Sequence, residues 1–251
     1  MATQTHIPET DLEFDHGTWD AAAFAANALA GWQTLAEVID HTLLKAEATQ
    51  EQVETLCDEA ARYRFACAMV NPMWVPTAVS LLAGTGVPVG VVIGFPLGAS
   101  LDSTMRQEAA ALTRLGAKEL DMVIPVGQLK SGNHNAVHRT IHTTATVAHH
   151  HGAILKVILE TCLLNVEEKL RGAEIAIQAG ADYLKTSTGF STGGATATDV
   201  ALLRGVAGGR CGLKASGGIR TLADARAMLE AGASRLGASA SVAIVRELGA
   251  E

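Results

Sequence analysis

The chain has 251 residues, of which 48% are hydrophobic and 18% charged, and its formal net charge is -7. A chain of this length and composition can bury one large core, which argues against intrinsic disorder and suits a one-domain enzyme. The acidic balance, with no basic stripe, argues against nucleic acid as a partner.

Cysteine usage and the N-terminal segment indicate the compartment. The four cysteines show no CxxC spacing, which favours reduced thiols in a cytoplasmic protein. The first residues lack the basic region of a signal peptide, and the apolar segment at 21–32 is too short and too weakly apolar to span a bilayer. We therefore expect no targeting segment and no membrane partner.

Residues 1–36 precede the repeating pattern that fills the rest of the chain. Within them and just beyond, the segment 20–38 predicts an extra helix with an apolar side formed by Phe24, Leu29, Trp32 and Leu35. We expect an N-terminal helical extension at 1–36, which caps the following domain or makes a subunit contact, and a catalytic domain at 37–251.

Eight short apolar or alternating runs follow, each succeeded by a stretch with helical spacing. Their starts are about thirty residues apart, as in one strand-helix unit, and eight such units predict an α/β fold of the closed (β/α)8 TIM-barrel type. A doubly wound open sheet would also fit the alternation, but no GxGxxG follows the first strand. The expected strands span 38–44, 65–70, 87–94, 119–125, 153–161, 183–189, 211–218 and 234–239.

Helix boundaries recur where the barrel needs them. Capping-box patterns predict helix starts at Thr49, Thr104, Asn165 and Thr221. A glycine suited to the left-handed conformation closes three helical runs, at Gly116, Gly180 and Gly232. These repeated junctions support a repeated strand-helix unit.

Three of the seven lysines lie inside strand-like runs at a fixed interval of 29 residues, namely Lys156, Lys185 and Lys214. Lysine is almost never buried unless it is paired or used. Because barrel active sites form at the C-terminal ends of the strands, three successive strands can present these amines to one pocket. The spacing does not indicate which lysine reacts.

Crowded, partly desolvated amines suit covalent chemistry. A neighbouring ammonium and burial both lower the pKa of a lysine, from about 10.4 toward roughly 7 to 8. A neutral amine can then attack an aldehyde or ketone and form a Schiff base. Asp121, the acid within the apolar part of the fourth strand, is either a counter-ion for a buried lysine or a member of an Asp-Lys proton relay.

Glycines and a serine after the last three strands predict a phosphate site. Backbone N–H groups of glycine loops approach an anion closely, and the loops after strands seven and eight of a barrel often bind phosphate. Each glycine alone is also typical of an ordinary turn. The expected phosphate-binding residues are Gly189, Gly217, Gly218 and Ser239.

Eight segments over residues 36–248 resemble the deoxyribose-phosphate aldolase family. They are IDHTLLK, VNP, GFPLG, ELDMVIP, LKVILET, KTSTGF, KASGGIR and LGAS. The resemblance implies a class I aldolase on an eight-stranded barrel. Such an enzyme cleaves 2-deoxy-D-ribose 5-phosphate to D-glyceraldehyde 3-phosphate and acetaldehyde, without a metal or other cofactor, and we expect a homo-oligomer, a dimer or larger.

The resemblance also implies roles for single residues. The lysine of KTSTG is the Schiff-base residue of the family, which assigns that role to Lys185. Lys214 and Asp121 become the proton relay, and Lys156 supports them by positioning Asp121 or a water, or by lowering the pKa of Lys185.

Three residues depart from the family pattern. Met69 stands where many members have cysteine, and a thioether cannot add to an unsaturated aldehyde as a thiolate can, so we expect tolerance of such by-products. Phe190 replaces a lysine of some members, and Ala240 replaces a frequent serine. The phosphate is then left to backbone groups, Ser239 and Arg220, with weaker selection for the 5-phosphate.

Three other interpretations compete with this one. Another Schiff-base aldolase or a transaldolase-like enzyme would share the lysines, and a non-catalytic phosphate-binding barrel would share the glycines. A zinc site could use His134, His138 and His142, which recur at i, i+4 and i+8 before the run 149–151. That helix belongs on the outer ring of a barrel, so a solvated face is favoured and no metal is expected.

Overall fold

The computed structural model describes residues 19–251, and within them eight parallel strands close into a barrel. The strands are β1 (Ile39–Leu43), β2 (Cys67–Val70), β3 (Val89–Ile93), β4 (Glu119–Val123), β5 (Ile154–Ile158), β6 (Tyr183–Lys185), β7 (Gly212–Ser216) and β8 (Arg235–Ala238). Each strand pairs with the next, and β8 pairs with β1. All eight strands lie inside the predicted ranges, so the expected (β/α)8 barrel is confirmed.

Helices alternate with the strands and form the outer ring. They are α1 (Ala21–Ala28), α2 (Trp32–Ala36), α3 (Gln50–Tyr63), α4 (Val75–Leu81), α5 (Asp102–Arg114), α6 (Val126–Lys130), α7 (His134–His150), α8 (Val166–Gln178), α9 (Ala197–Ala207), α10 (Leu222–Glu230) and α11 (Ser241–Arg246). Short 3₁₀ turns span Pro72–Trp74 and Thr161–Leu163. Among residues 19–251, no helix has both the length and the hydropathy to cross a bilayer.

The N-terminal helical segment differs in detail from the single helix expected over 20–38. Its residues form α1 and α2, which are separated at Gly31, where the backbone is extended. Asp20 caps α1 by accepting a hydrogen bond from Ala23 N–H, and the Thr34 hydroxyl accepts one from Gly31 N–H at the start of α2. Because glycine is a poor helix former and local caps are available on both sides, two short helices replace one.

Both N-terminal helices pack on the outer ring where the last strand meets the first. The helix α1 contacts α10, and α2 contacts α11. The ring of Trp32 lies edge-on to Tyr63 at the end of α3, with centroids 6.2 Å apart. The division into an extension at 1–36 and a barrel at 37–251 stays a prediction, because residues 1–18 lie outside the described part of the chain.

Three of the four predicted capping boxes are present. Thr49, Asn165 and Thr221 cap α3, α8 and α10, each with its reciprocal bond from the residue three positions later. The prediction at Thr104 is wrong, because α5 already begins at Asp102 and Thr104 lies in its first turn. The glycines that follow α5, α8 and α10 adopt positive φ angles as predicted, at Gly116, Gly180 and Gly232.

The barrel interior is crowded, and glycines on the strands make room for large side chains. A Cβ atom on Gly212 would lie 2.2 Å from the ring of Tyr183, and one on Gly237 would lie 2.9 Å from Cε of Lys214. On the opposite wall, a Cβ on Gly90 would lie 2.5 Å from the side chains of Cys67 and Met69. These positions therefore allow a lysine, a tyrosine and a methionine to point inward within one closed barrel.

The close approach of Gly212 to Tyr183 predicts a stability effect. We expect Gly212→Ala to lower the free energy of unfolding by about 1–3 kcal/mol, because the added methyl overpacks a rigid interior. Urea unfolding followed by circular dichroism measures the change. Gly205→Ala in α9 is the control, because its Cβ would enter open space. We expect that helical substitution to stabilise the protein by about 0.5–1 kcal/mol, and equal effects of the two substitutions would contradict the packing argument.

Candidate active site

Three lysines converge on one carboxylate inside the barrel. The Nζ atoms of Lys185 and Lys214 each lie 2.7 Å from Oδ2 of Asp121, and Nζ of Lys156 lies 2.9 Å from its Oδ1. All four side chains are buried. The structure thus brings together the four residues that the sequence singles out on β4 to β7.

Strand register produces this convergence. Asp121 is the register partner of Lys156 across β4 and β5, and Lys185 is the partner of Lys214 across β6 and β7. Because side chains alternate along a strand, residues in register on neighbouring strands point to the same side of the sheet. In a closed barrel that side is the interior, where all four side chains meet.

A lower charged tier, formed by Asp40, Glu119 and Arg235, lies toward the N-terminal ends of the strands. Asp40 accepts a very short hydrogen bond from Lys214 and lies 3.3 Å from Nζ of Lys156. Glu119 lies 2.5 Å from the same Nζ, and Arg235 bridges Asp40 and Glu119 at 3.0 and 3.4 Å. Sequence reasoning missed all three residues.

Charge pairing opposes the effect of burial on the pKa values of Asp40, Asp121 and Lys156. Burial alone would raise the pKa of Asp40, but the charges of Lys156, Lys214 and Arg235 lower it to about 2. Burial likewise opposes ionisation of Asp121, yet Lys156, Lys185 and Lys214 hold its pKa well below the usual value. Burial would lower the pKa of Lys156, but the carboxylates of Asp121, Asp40 and Glu119 raise it well above the usual value.

Lys185 shifts in the opposite direction. Burial lowers the pKa of Lys185, the Asp121 carboxylate opposes that shift, and the charges of Lys214 and Lys156 add to it, which leaves the pKa at about 8. About a tenth of the amine is then neutral at pH 7, against about one part in three thousand for an ordinary lysine. Lys185 is therefore suited to be a nucleophile, whereas Lys156 is suited to stay a cation.

A cavity of about 250 Å³ opens above the network at the C-terminal ends of the strands. Lys185 and Lys214 line it, whereas Lys156 does not. The expectation that three amines reach one pocket therefore holds for two of them. Lys156 lies deeper in the barrel, and the carboxylate of Asp121 lies between its amine and the amines of Lys185 and Lys214.

The predicted phosphate residues line the same cavity. They are Gly189, Gly217, Gly218 and Ser239, and Arg220 lies beside them. The three glycines have φ angles of 83 to 85°, and their backbone N–H groups find no acceptor among residues 19–251. Free N–H groups around a cavity can bind an anion.

Two of the residues that depart from the family pattern lie near this cavity. Phe190 lines it, is half exposed, and meets Phe95 edge to face with centroids 5.2 Å apart. Met69 is fully buried in a small apolar cluster with Cys67, Leu44 and Val92. Neither side chain supplies a charge. Burial raises the pKa of the Cys67 thiol well above its usual value, and the charges of Glu119 and Asp40 add to that shift.

Two groups of residues are of the types that can ligate a metal ion. His134, His138 and His142 lie on α7 in the outer ring, away from the cavity, and the rings of the last two stack at 5.8 Å. In the described part of the chain, the acids Asp40 and Glu119 lie with Cys67 within 4.8 Å of one another. Lysine and arginine groups already pair with those carboxylates, so this set is poorly suited to a cation.

The chain is similar to known aldolases over most of its length. A family model described as DeoC/LacD family aldolase matches residues 13–247. A deoxyribose-phosphate aldolase from Geobacillus sp. is 54% identical over 84% of this chain and 94% of that protein, and one from Lysinibacillus sphaericus is 52% identical over 86% and 96%. A tetrameric deoxyribose phosphate aldolase from Aeropyrum pernix superposes with a TM-score of 0.84 at 36% identity, covering 91% of this chain and 96% of that one.

The lowered pKa of Lys185 predicts the pH dependence of its reactivity. Because only the neutral amine reacts, labelling of Lys185 by a small amine-acylating reagent should rise with pH and reach half its maximum near pH 8. Peptide mass spectrometry after brief labelling between pH 6 and 11 measures the profile. The fully buried Lys156 should stay unlabelled throughout, and a midpoint for Lys185 near pH 10 would contradict the electrostatic argument.

Proposed function

The chain belongs to the DeoC/LacD family of aldolases, and we propose that it is a class I deoxyribose-phosphate aldolase in which Lys185 forms the Schiff base. Its reaction is the reversible cleavage of 2-deoxy-D-ribose 5-phosphate to D-glyceraldehyde 3-phosphate and acetaldehyde. The observation that carries the assignment of the nucleophile is the position of Lys185. It borders the cavity, and its pKa is lowered to about 8.

The covalent steps follow from a neutral amine at this position. The Lys185 nitrogen attacks C1 of the open-chain sugar, and loss of water leaves a protonated imine. The electrons of the C2–C3 bond move into that imine as the C3 hydroxyl loses its proton, which releases D-glyceraldehyde 3-phosphate and leaves an enamine. Protonation of the enamine at C2 and addition of water then release acetaldehyde and restore the amine.

Asp121 and Lys214 are suited to the proton transfers in these steps. One oxygen of Asp121 accepts hydrogen bonds from both Lys185 and Lys214, each at 2.7 Å. A proton that leaves one amine can therefore pass to the other through a single carboxylate oxygen. Lys156 holds the second oxygen of Asp121 and thereby fixes the orientation of the carboxylate.

The phosphate of the substrate would lie against the glycine loops. Gly217 and Gly218 follow β7, Gly189 follows β6 and Ser239 follows β8, so their backbone groups surround one side of the cavity. Arg220, two residues beyond Gly218, is a cation that lines the cavity, whereas Phe190 carries no charge. We therefore propose phosphate binding largely through backbone N–H groups, with only moderate selection for the phosphorylated sugar.

Two competing interpretations of the function, another Schiff-base aldolase and a non-catalytic barrel, differ from this one in what the protein would form. A transaldolase-like or other Schiff-base aldolase would form its imine with a ketose phosphate and would release no acetaldehyde. A phosphate-binding barrel without catalysis would form no imine at all. The lowered pKa of Lys185 and its contact with Asp121 favour catalysis over binding alone.

We also propose that the chain acts in the cytoplasm, in carbohydrate and deoxyribose phosphate catabolism, as a homo-oligomer. The described thiols are all unpaired, which agrees with a reducing compartment. The similar protein from Aeropyrum pernix is a tetramer. Sedimentation velocity over a range of protein concentrations tests the assembly, and a single monomeric species throughout would contradict it.

Reductive trapping tests the identity of the nucleophile. Borohydride added with acetaldehyde, in excess EDTA, should leave one ethyl group on Lys185, because the amine forms an imine without a metal. Peptide mass spectrometry locates the adduct, and the exposed Lys118, which does not line the cavity, serves as the control for non-specific ethylation. An unmodified Lys185, or an adduct on Lys156 or Lys214 instead, would overturn the assignment.

Tolerance of unsaturated aldehydes follows from Met69. We expect activity to survive crotonaldehyde in the unmodified protein, whereas Met69→Cys should be inactivated about tenfold faster, because it adds a nucleophilic thiol beside Leu44, which lines the cavity. Met69→Leu is the matched control that adds no thiol. Residual activity after timed exposure measures the effect, and rapid loss in the unmodified protein with an adduct on Cys67 would contradict it.

A further inference from the structure

Glu160 is a buried acid that takes no part in the three-lysine network. It lies two residues beyond the end of β5 and is 3% exposed. Strand alternation would place it on the same face as Lys156, but its backbone adopts φ 57° and ψ 61°, a left-handed conformation that is uncommon outside glycine. The chain thus turns at this residue, and its carboxylate is directed toward the loop that follows β6.

Both oxygens of Glu160 accept hydrogen bonds from one residue of that loop, Thr188. The Thr188 hydroxyl donates a very short hydrogen bond to Oε2, and the Thr188 backbone N–H donates to Oε1 at 3.3 Å. Two acceptor oxygens facing two donors is the arrangement of an ionised carboxylate. Glu160 therefore fixes the position of Thr188, which lines the cavity together with Lys185 and Gly189.

The hydrogen bonds of Thr188 determine what its hydroxyl can still do. A threonine hydroxyl has one proton to donate and two lone pairs to accept. The proton is committed to Glu160, and one lone pair accepts from the backbone N–H of Phe190 at 3.0 Å. One lone pair remains, so Thr188 can accept a hydrogen bond from a ligand in the cavity but cannot donate one.

An acceptor-only hydroxyl discriminates among the polar groups of the aldehyde that the proposed reaction releases. In D-glyceraldehyde 3-phosphate, the carbonyl oxygen and the ionised phosphate can only accept hydrogen bonds. The hydroxyl at C2 is the one group with a proton to donate.

We propose that Glu160 is a positioning residue that makes Thr188 an obligate hydrogen-bond acceptor and thereby selects acceptor aldehydes that carry a hydroxyl next to the carbonyl. The inference rests on the proposed function, because it concerns the second substrate of the synthetic direction. Substrate recognition then depends on the Glu160 carboxylate, which does not itself line the cavity.

Glu160→Gln tests this role with an isosteric change. The Thr188 N–H still requires the amide oxygen as its acceptor, so the amide NH₂ must face the Thr188 hydroxyl and donate to it. The hydroxyl proton is then released and can point into the cavity. The preference for an acceptor with a donating hydroxyl should weaken, although the shape of the loop is retained.

The experiment compares D-glyceraldehyde with 3-hydroxypropanal, which differ only in the hydroxyl next to the carbonyl, as acceptors for acetaldehyde. We expect the ratio of their kcat/KM values to fall by about tenfold in E160Q, the effect of losing one strong hydrogen bond. Exchange of the methyl protons of acetaldehyde in D₂O reports on Lys185 without any acceptor. Exchange in E160Q should fall much less than its reaction with D-glyceraldehyde.

Matched variants separate recognition from a general structural effect. Glu167→Gln, an exposed acid in the first turn of α8, is the control and should keep the wild-type ratio. Thr188→Ser retains the hydroxyl and should also keep the ratio, whereas Thr188→Ala should lose it. Equal losses of exchange and of both acceptor reactions in E160Q, with the ratio unchanged, would overturn the inference.

The unmodified protein provides a second measurement that does not depend on the folding of a variant. Replacing the C2 hydroxyl of the acceptor by fluorine removes the proton but keeps an electronegative atom of similar size. We expect 2-fluoro-3-hydroxypropanal to react no better than 3-hydroxypropanal after correction for the electrophilicity of its carbonyl. A fluorinated acceptor as good as D-glyceraldehyde would refute the inference. By contrast, absence of acetaldehyde exchange in the wild type would refute the proposed function itself.

Discussion

The Asp121 carboxylate is the interaction on which the centre depends. Three ammonium groups share its two oxygens inside a closed barrel, where an unpaired charge would cost several kcal/mol. Asp40 and Glu119 supply the remaining negative charge, and Arg235 ties those two acids together. The network therefore contains four cations and three anions, which leaves an excess of one positive charge. The most accessible amine of the network is that of Lys185.

All three amines belong to lysines, so the residue type does not determine which of them reacts. The number of nearby carboxylates determines it. Lys156 contacts three acids, and its pKa is raised, whereas Lys185 contacts one acid that it shares, and its pKa is lowered. Burial acts in the same direction on both residues. Carboxylates are thus more numerous deep in the barrel than near the cavity. They keep Lys156 a cation below the reactive amine of Lys185, and the charge of Lys156 lowers the pKa of Lys185 further.

Sequence patterns predicted the eight strands and the closed barrel, because both follow from periodicity along the chain. The shared site of Lys156, Lys185 and Lys214 was predicted because the three lysines recur at a fixed interval in successive strands, and Asp121 was singled out as the acid in the apolar part of its strand. Asp40, Glu119 and Arg235 were missed because their importance depends on the register between strands, which no single strand encodes. The charge balance of the barrel interior was the signal in the sequence that could have identified the two acids among them. Three buried amines facing one aspartate leave two positive charges without partners, and Asp40 and Glu119 are the other acids within the strands.

Glu160 is a residue whose orientation strand alternation predicts wrongly. Alternation along β5 predicts that Glu160 shares a face with Lys156, but the strand ends at Ile158 and the left-handed backbone at Glu160 turns its side chain to Thr188. Periodicity is reliable only while the ladder of hydrogen bonds continues. In a barrel the loops of the active site begin where that ladder ends, so the substrate contacts made by loop residues are those that alternation describes least well. The lysines lie within the strands and were predicted, whereas the loop contacts that recognise the second substrate required the three-dimensional structure.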